Sequence, residues 1–209
     1  VHTEEGEEKS RLLKWCRWMT SKRPDLKKIV YISSTGVYPN QQGIWRESDV
    51  VHPDTGKGKL RLLTETVLAD HFLTKVLRSG AIYGPGRNIG QRLLDGKPIP
   101  RNAQAVHRIH VSDLARIASM ACERDDFPAI LNIADRLAVP SFEVAQWIIE
   151  QQILDCKLPQ WTDSWEVGTS RKYRRVVAGR NISVALLQNK LAYRYCFPTY
   201  QEGLRQIFE

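Results

Sequence analysis

The stretch that most constrains this chain runs from Lys28 to Tyr38, with the sequence KIVYISSTGVY. Ile29 to Ile32 is a short run of β-branched and aromatic residues, the composition of a buried strand. Ser33, Ser34 and Thr35 follow where that run stops, and Gly36 then permits a turn. Upstream, Ser10 to Lys22 reads as a helix, with Leu12, Leu13, Trp15, Cys16 and Met19 near helical spacing, and Arg23-Pro24-Asp25 stops it. A helix feeding a buried strand is half of a parallel α/β repeat. Open parallel sheets bind ligands just beyond the carboxyl ends of their strands. The three hydroxyl residues therefore either point into a ligand crevice or cap the next turn.

The chain has 209 residues, enough for one domain with a small appended lobe and a sizeable core. No apolar run approaches the length needed to cross a bilayer, so no membrane role is expected. No secretory signal is visible, and a cytoplasmic protein is expected. Because the chain opens on Val1, the expectation is that an upstream segment, with any targeting signal, lies outside it. Cys16, Cys122, Cys156 and Cys196 are scattered without metal-ligand spacing, which predicts no metal and reduced thiols. The formal net charge of +8 raises nucleic acid as a partner. Yet the basic residues are dispersed except for Arg171, Lys172, Arg174 and Arg175 around Tyr173. That cluster reads as an anion-binding patch or as a solvated surface segment.

Ile32-Ser33-Ser34-Thr35-Gly36-Val37-Tyr38 resembles the strand-end motif of extended short-chain dehydrogenases/reductases, the NAD(P)-dependent epimerase/dehydratase group. Three further stretches agree in order: Leu77-Arg78-Ser79-Gly80-Ala81-Ile82-Tyr83-Gly84-Pro85-Gly86-Arg87, Arg108-Ile109-His110-Val111-Ser112-Asp113-Leu114-Ala115, and Leu131-Asn132-Ile133-Ala134-Asp135. The tail Phe197-Pro198-Thr199-Tyr200 fits an atypical subgroup. The resemblance implies an α/β fold: the C-terminal part of a Rossmann-type parallel sheet over residues 1–135, and a small mixed α/β substrate lobe over residues 136–209. It implies NAD or NADP as cofactor, a small-molecule substrate rather than nucleic acid, and allows a homodimer. The glycine-rich turn that holds a pyrophosphate at a helix N-terminus is absent from the sequence. By the same resemblance the chain begins near the end of a fourth strand, is N-terminally truncated relative to the family, and binds cofactor weakly or not at all by itself.

In such proteins the active-site helix begins with Tyr-x-x-x-Lys, the tyrosine acting as acid/base and the lysine holding the nicotinamide ribose. Members commonly have glycine after the tyrosine and glutamate four positions after the lysine. Gly58 and Glu65 satisfy both if Lys57 stands at the tyrosine position and Arg61 at the lysine position. The other register, Thr55 and Lys59, keeps the lysine but loses both anchors. Either way the tyrosine is gone. An ammonium of ordinary pKa, about 10.4, does not deliver a proton as a perturbed phenol does, and an arginine stays charged.

The resemblance thus places Ser34, Lys57 and Arg61 at the catalytic positions. Ser33, Ser34, Arg61, Ser79, Gly80, Ala81 and Ile82 fall at cofactor-binding positions, and Arg87 and Tyr38 near the substrate. Tyr38, His52, Lys57 and His110 are candidates to replace the lost acid/base. The expected chemistry is hydride transfer or epimerisation on a small carbonyl, alcohol or sugar-nucleotide. A non-catalytic dinucleotide-binding or redox-sensing protein is the alternative, and a basic nucleic-acid binder the third.

Elsewhere the pattern predicts a loop over Asn40–Gly56, a helix to His71 with Leu60, Leu63, Val67 and Leu68 on one face, and a strand over Leu73–Arg78. A tight loop follows around Tyr83, then a strand Arg108–Val111 and a helix capped by Ser112. Beyond these come a strand at Ala129–Ile133, a helix from Pro140-Ser141 to Leu154 and a loop over Leu158–Gly168. A helix capped at Ile182-Ser183 and running to Lys190, a strand Tyr193–Cys196 and a terminal helix Tyr200–Phe208 complete the chain.

Overall fold

The computed structural model describes residues 2–100, 104–154, 161–162 and 180–209. The Arg171–Arg175 cluster, Cys156 and the expected loop over Leu158–Gly168, apart from residues 161–162, lie outside the described residues.

Strand β1 (Ile29–Ser34) forms where the β-branched run predicts it, and β3 (Thr74–Ser79) lies beside it in parallel, Ile32 opposite Leu77 and Ser34 opposite Ser79. Strand β7 (Ile130–Ile133) pairs with the other edge of β3, giving a three-stranded parallel sheet in the order β1-β3-β7. Alternate residues of β1 point to opposite faces. Ile29 and Tyr31 join Cys16, Val67 and Leu68 under α1 (His2–Lys22) and α2 (Gly56–His71). Val30 faces the core cluster of Leu77, Leu131 and Ile133 with Leu114 and Ile117 of α4 (Val111–Glu123). Those five are 0–4% exposed, and each contributes roughly 1.5–3 kcal/mol by leaving water.

At Gly80 the chain leaves this sheet. Its N–H donates to Ile133 O at 2.9 Å, and the next three residues, β4 (Ala81–Tyr83), pair in parallel with β6 (Arg108–His110). The step needs glycine: a Cβ at Gly80 would sit 2.6 Å from His107 O. The tight loop expected around Tyr83 is therefore a strand up to Tyr83, with the turn confined to Gly84–Arg87. A second core gathers Tyr83, Leu93 and Ile99 with Val144, Ala145 and Ile148 of α5 (Ser141–Glu150) and with Tyr200 and Leu204 of α6 (Tyr200–Phe208). Helix α6 keeps its predicted bounds because Thr199 and Glu202 close a capping box at its start.

Several expectations are corrected. Helix α1 starts at His2, so the acidic opening is helical. Leu60 is partly exposed, and Val67 and Leu68 carry the buried face of α2. The Asn40–Gly56 loop contains a short strand, β2 (Gly43–Trp45), paired with β9 (Arg180–Ile182), so Ile182, expected at a helix cap, ends a strand instead. Helical turns there are confined to Leu186–Lys190. A short helix α3 (Ile89–Leu94) and a two-residue strand β5 (Ile99–Pro100), paired with β8 (Trp161–Thr162), carried too little periodicity to be seen. Helix α5 ends at Glu150, four residues early. Helix α4 begins at Val111 and is capped by the His110 ring, whose Nδ1 accepts from Ser112 N at 3.2 Å, so Ser112 is not the cap. No strand forms at Tyr193–Cys196, because the backbone N–H groups of Cys196 and Phe197 are spent on the Asp113 carboxylate at 2.8 and 3.0 Å.

Among the described residues, no helix is long and apolar enough to cross a membrane, and no group of metal-ligating side chains forms.

Candidate functional site

Because β1 and β3 run parallel and end level, Ser34 and Ser79 stand side by side at the carboxyl end of the sheet. A cavity of about 430 Å³ opens there. Its floor is Ser33, Ser34 and Thr35; one wall is Ser79 to Ile82, and Arg61 closes it from α2. Arg87 stands on the rim. A neighbouring recess of about 390 Å³ shares Ser34 and Arg61 and adds Lys57, Thr55 and Gly58 from the start of α2. Ser34 and Arg61 thus border both cavities, Ser79 to Ile82 only the first and Lys57 only the second.

The helix start is built for close approach. Thr55 caps α2 by accepting from Gly58 N at 2.8 Å, and a Cβ on Gly58 would lie 2.5 Å from Gly36 O. Lys57 and Arg61, one turn apart, both border the recess, whereas Lys59 does not. No acidic residue occupies the first turn of α2. Cations gathered at a helix N-terminus oppose the macrodipole, an arrangement that an anion relieves. Arg61 is steadied by Tyr31, whose hydroxyl accepts at 3.2 Å, and by Ile32 O at 3.4 Å.

The serines divide their work. Ser34 Oγ accepts from Gly36 N at 3.1 Å, capping the 3₁₀ turn Thr35–Val37, and the residue also lines the cavity. Ser33 borders the cavity, but its hydroxyl turns inward and donates to Glu65 Oε1 at 2.5 Å. Glu65 holds Arg78 in a buried pair at 2.8 Å, and Arg78 donates to Tyr38 at 3.0 Å. The Tyr38 hydroxyl in turn donates to Asn132 Oδ1 at 2.8 Å.

That network corrects the reading of Tyr38. The ring is fully buried, stacked on Trp45 and beneath the Arg78 guanidinium, and burial pushes its phenol pKa up. It borders neither cavity. His110 is equally buried, between Tyr83 and Phe197, with its pKa lowered by burial, and His52 borders neither cavity. Asp113 of the same motif ties Tyr193, Cys196 and Phe197 to α4, a structural task.

Three wall residues escaped the sequence reading: Gln104, His107 and Arg180. His107 directly precedes the Arg108 motif, the one signal that could have found it. Its Nε2 accepts from Ile182 N at 3.1 Å, and burial lowers its pKa. Arg180 donates to Tyr38 O at 2.5 Å. Together with Arg61 and Arg87 it makes the 430 Å³ cavity cationic, with no carboxylate among its lining residues.

No family model matches the chain. Over 175 residues it is 26% identical to Protein YeeZ of Escherichia coli K12, covering 82% of this chain and 59% of that protein. The chain thus spans under two thirds of the length of the curated relatives it matches. Its structure superposes on a functionally unknown conserved protein from Silicibacter pomeroyi with a TM-score of 0.78 and 24% identity, over 94% of this chain and 71% of that one. MoeE5 in complex with UDP-glucuronic acid and NAD follows with a TM-score of 0.66 and 26% identity, over 86% and 62%. A UDP-glucuronic acid 4-epimerase from Bacillus cereus, in complex with UDP-glucuronic acid and NAD, gives 0.69 at 15% identity, over 92% and 65%. The chain has the epimerase/dehydratase fold.

Within the epimerase/dehydratase fold a nicotinamide cofactor can be tested against the residues present. The crevice has the hydroxyls of Ser34, which accepts from Gly36 N, and of Ser79, which donates to Gly80 O at 3.0 Å, and a cation at Arg61; the Ser34 proton and the guanidinium suit a ribose and a phosphate. The glycine turn for a pyrophosphate is not in the sequence. The residues fit the nicotinamide–ribose end.

Proposed function

We propose that this chain carries the nicotinamide–ribose and substrate side of an NAD(P)-binding oxidoreductase or epimerase-like protein of the atypical short-chain dehydrogenase/reductase type. Its substrate is a small carbonyl or alcohol compound, or a sugar-nucleotide, and its compartment cytoplasmic. One observation carries the reading: Ser34 and Arg61 border two adjoining cavities at the carboxyl ends of β1 and β3, with Ser79 on the wall of the first and Lys57 on the wall of the second. Ser34 and Arg61 hold the ribose; the wall from Ser79 to Ile82 packs against the nicotinamide ring. The cofactor supplies the hydride. The neighbours solved with NAD support the assignment.

NADPH and NADH fluorescence titrations test it. Saturable binding is expected, weakened about tenfold by Arg61→Gln, the scale of one lost charge-assisted hydrogen bond. No saturable binding of either nucleotide, or an Arg61→Gln variant equal to the wild type, overturns it.

A second reading is a dinucleotide-binding protein without turnover. It is favoured by Lys57 and Arg61 at the tyrosine and lysine positions, and by His107, whose Nε2 is already an acceptor from Ile182 N. Turnover on a panel of carbonyl compounds, lost on Lys57→Ala, would decide for the enzyme; binding without turnover would decide for the second reading.

A further inference from the structure

Helix α1 gathers cations that are dispersed in the sequence. From Lys9 to Lys28, eight lysines and arginines stand against one carboxylate, Asp25, and Arg23 already holds it at 3.2 Å. Arg11 is paired with Glu8, and Lys28 is drawn onto the carbonyls of Cys122 and Arg124. Lys14, Arg17, Lys22 and Lys27 are all exposed, and none of them forms an ion pair with the described residues. Cys16 is fully buried against Val67 and Leu68, with Leu12 and Leu13 packed beside it. The helical period then turns Lys14, Trp18 and Lys22, spaced four apart, onto the outward face, with Arg17 alongside.

Large apolar groups stand among these cations. Trp18 is 55% exposed and Trp15 40%. Trp15 meets Phe72 edge-on with ring centroids 6.1 Å apart, and the next residue, Leu73, is also exposed. An exposed apolar cluster rimmed by charge marks an interaction surface. The last turn of α1 leads through Arg23–Lys28 to the amino end of β1, so this face lies away from the crevice at the carboxyl end. None of its residues borders the crevice or the recess beside Lys57. The outward side of a helix is convex and lacks the groove along which single-stranded nucleic acid is tracked.

We propose that the outward face of α1 docks on an anionic lipid surface, with Lys14, Arg17, Lys22 and Lys27 against the headgroups and Trp18 at the headgroup boundary. Charge complementarity selects the partner: the face is cationic, and an anionic leaflet attracts lysines and arginines held close to it. The indole suits that boundary because its body is apolar and its N–H is a donor. No described helix crosses a membrane, but a helix that lies on the surface needs no spanning length. Docking by this face leaves the crevice accessible, and it does not rest on the function proposed above.

Flotation with vesicles of phosphatidylcholine alone, and of phosphatidylcholine and phosphatidylglycerol in equal parts, tests the proposal. Binding is expected only to the anionic vesicles and should fall as salt is raised. Each cation near such a surface is worth about fivefold, so Lys14→Gln, Arg17→Gln and Lys22→Gln together should weaken binding by on the order of a hundredfold. Trp18→Ala should lose most of the quenching of tryptophan fluorescence by brominated phosphatidylcholine placed in the anionic vesicles. All four substitutions are at exposed positions, and circular dichroism should show both variants folded. The proposal is overturned if the chain floats with neither vesicle, if it floats equally with both, or if the triple variant floats as the wild type does. A single-stranded oligonucleotide bound more tightly than the vesicles, and released in the triple variant, would assign the face to nucleic acid. A dimer in sedimentation that Trp18→Ala dissociates would assign it to a second copy of this chain. Either result also overturns the proposal.

Discussion

Glu65 and Arg78 lie 2.8 Å apart beneath the crevice, each at most 5% exposed, and join α2 to the central strand β3. Glu65 also receives the Ser33 hydroxyl, so the same carboxylate fixes the strand end next to Ser34. Breaking one half of such a pair leaves a buried charge alone. Glu65→Leu should cost about 3–5 kcal/mol in urea unfolding, and the double variant Glu65→Leu/Arg78→Met should recover most of it. A double variant as unstable as the single one would show that the pair is not what holds these elements together.

Asp113 accepts from Tyr193 Oη at 2.7 Å, Cys196 N at 2.8 Å and Phe197 N at 3.0 Å, anchoring the segment that leads into α6. Asp113→Ala should destabilise by roughly 2–4 kcal/mol, since hydrogen bonds to a charged group are worth about 1.5–3 kcal/mol and the Tyr193 hydroxyl it orphans is buried. Hydrogen exchange should quicken first at Cys196 and Phe197. Unchanged protection at those amides would contradict the anchor.

The pH dependence has two opposing parts. Burial raises the Asp135 pKa to about 7, so the folded chain holds this proton more tightly than the unfolded chain. That contribution favours the fold at acid pH and is lost as pH climbs from the ordinary carboxylate range, about 4, to about 7. His107 and His110 have lowered pKa values from burial, so their contribution is present above about 6.5 and is lost as pH falls. Asp135→Asn should therefore raise the melting temperature more at pH 8 than at pH 4.5. Equal shifts at both values would rule out Asp135 as the titrating group.

Gly58 meets backbone rather than a flexible side chain, so a methyl there cannot be accommodated by rotation. Gly58→Ala should cost about 1–3 kcal/mol by overpacking and push Lys57 and Arg61 away from Ser34. Loss of nucleotide binding greater than that of Arg61→Gln, with circular dichroism unchanged, would confirm that closeness at this point shapes the crevice.

Local sequence alone determined the strand with hydroxyls at its tip, helix α2 and the terminal helix with its capping box. In each, a short contiguous pattern sets the backbone: β-branched residues at Ile29–Ile32, a cap at Thr55, a box at Thr199 and Glu202. Tertiary structure decided the rest. Tyr38 lies four residues from Ser34 and reads like a crevice residue, yet it is buried, because Arg78 and Asn132, 40 and 94 positions away, claim its hydroxyl. Arg180 carries no local mark and His107 only its place before a motif; they meet the crevice because β4 pairs with β6 and β2 with β9. Periodicity reports which way a side chain faces along its own element. Which distant group waits there depends on pairings between segments far apart in the chain, and no local pattern encodes those.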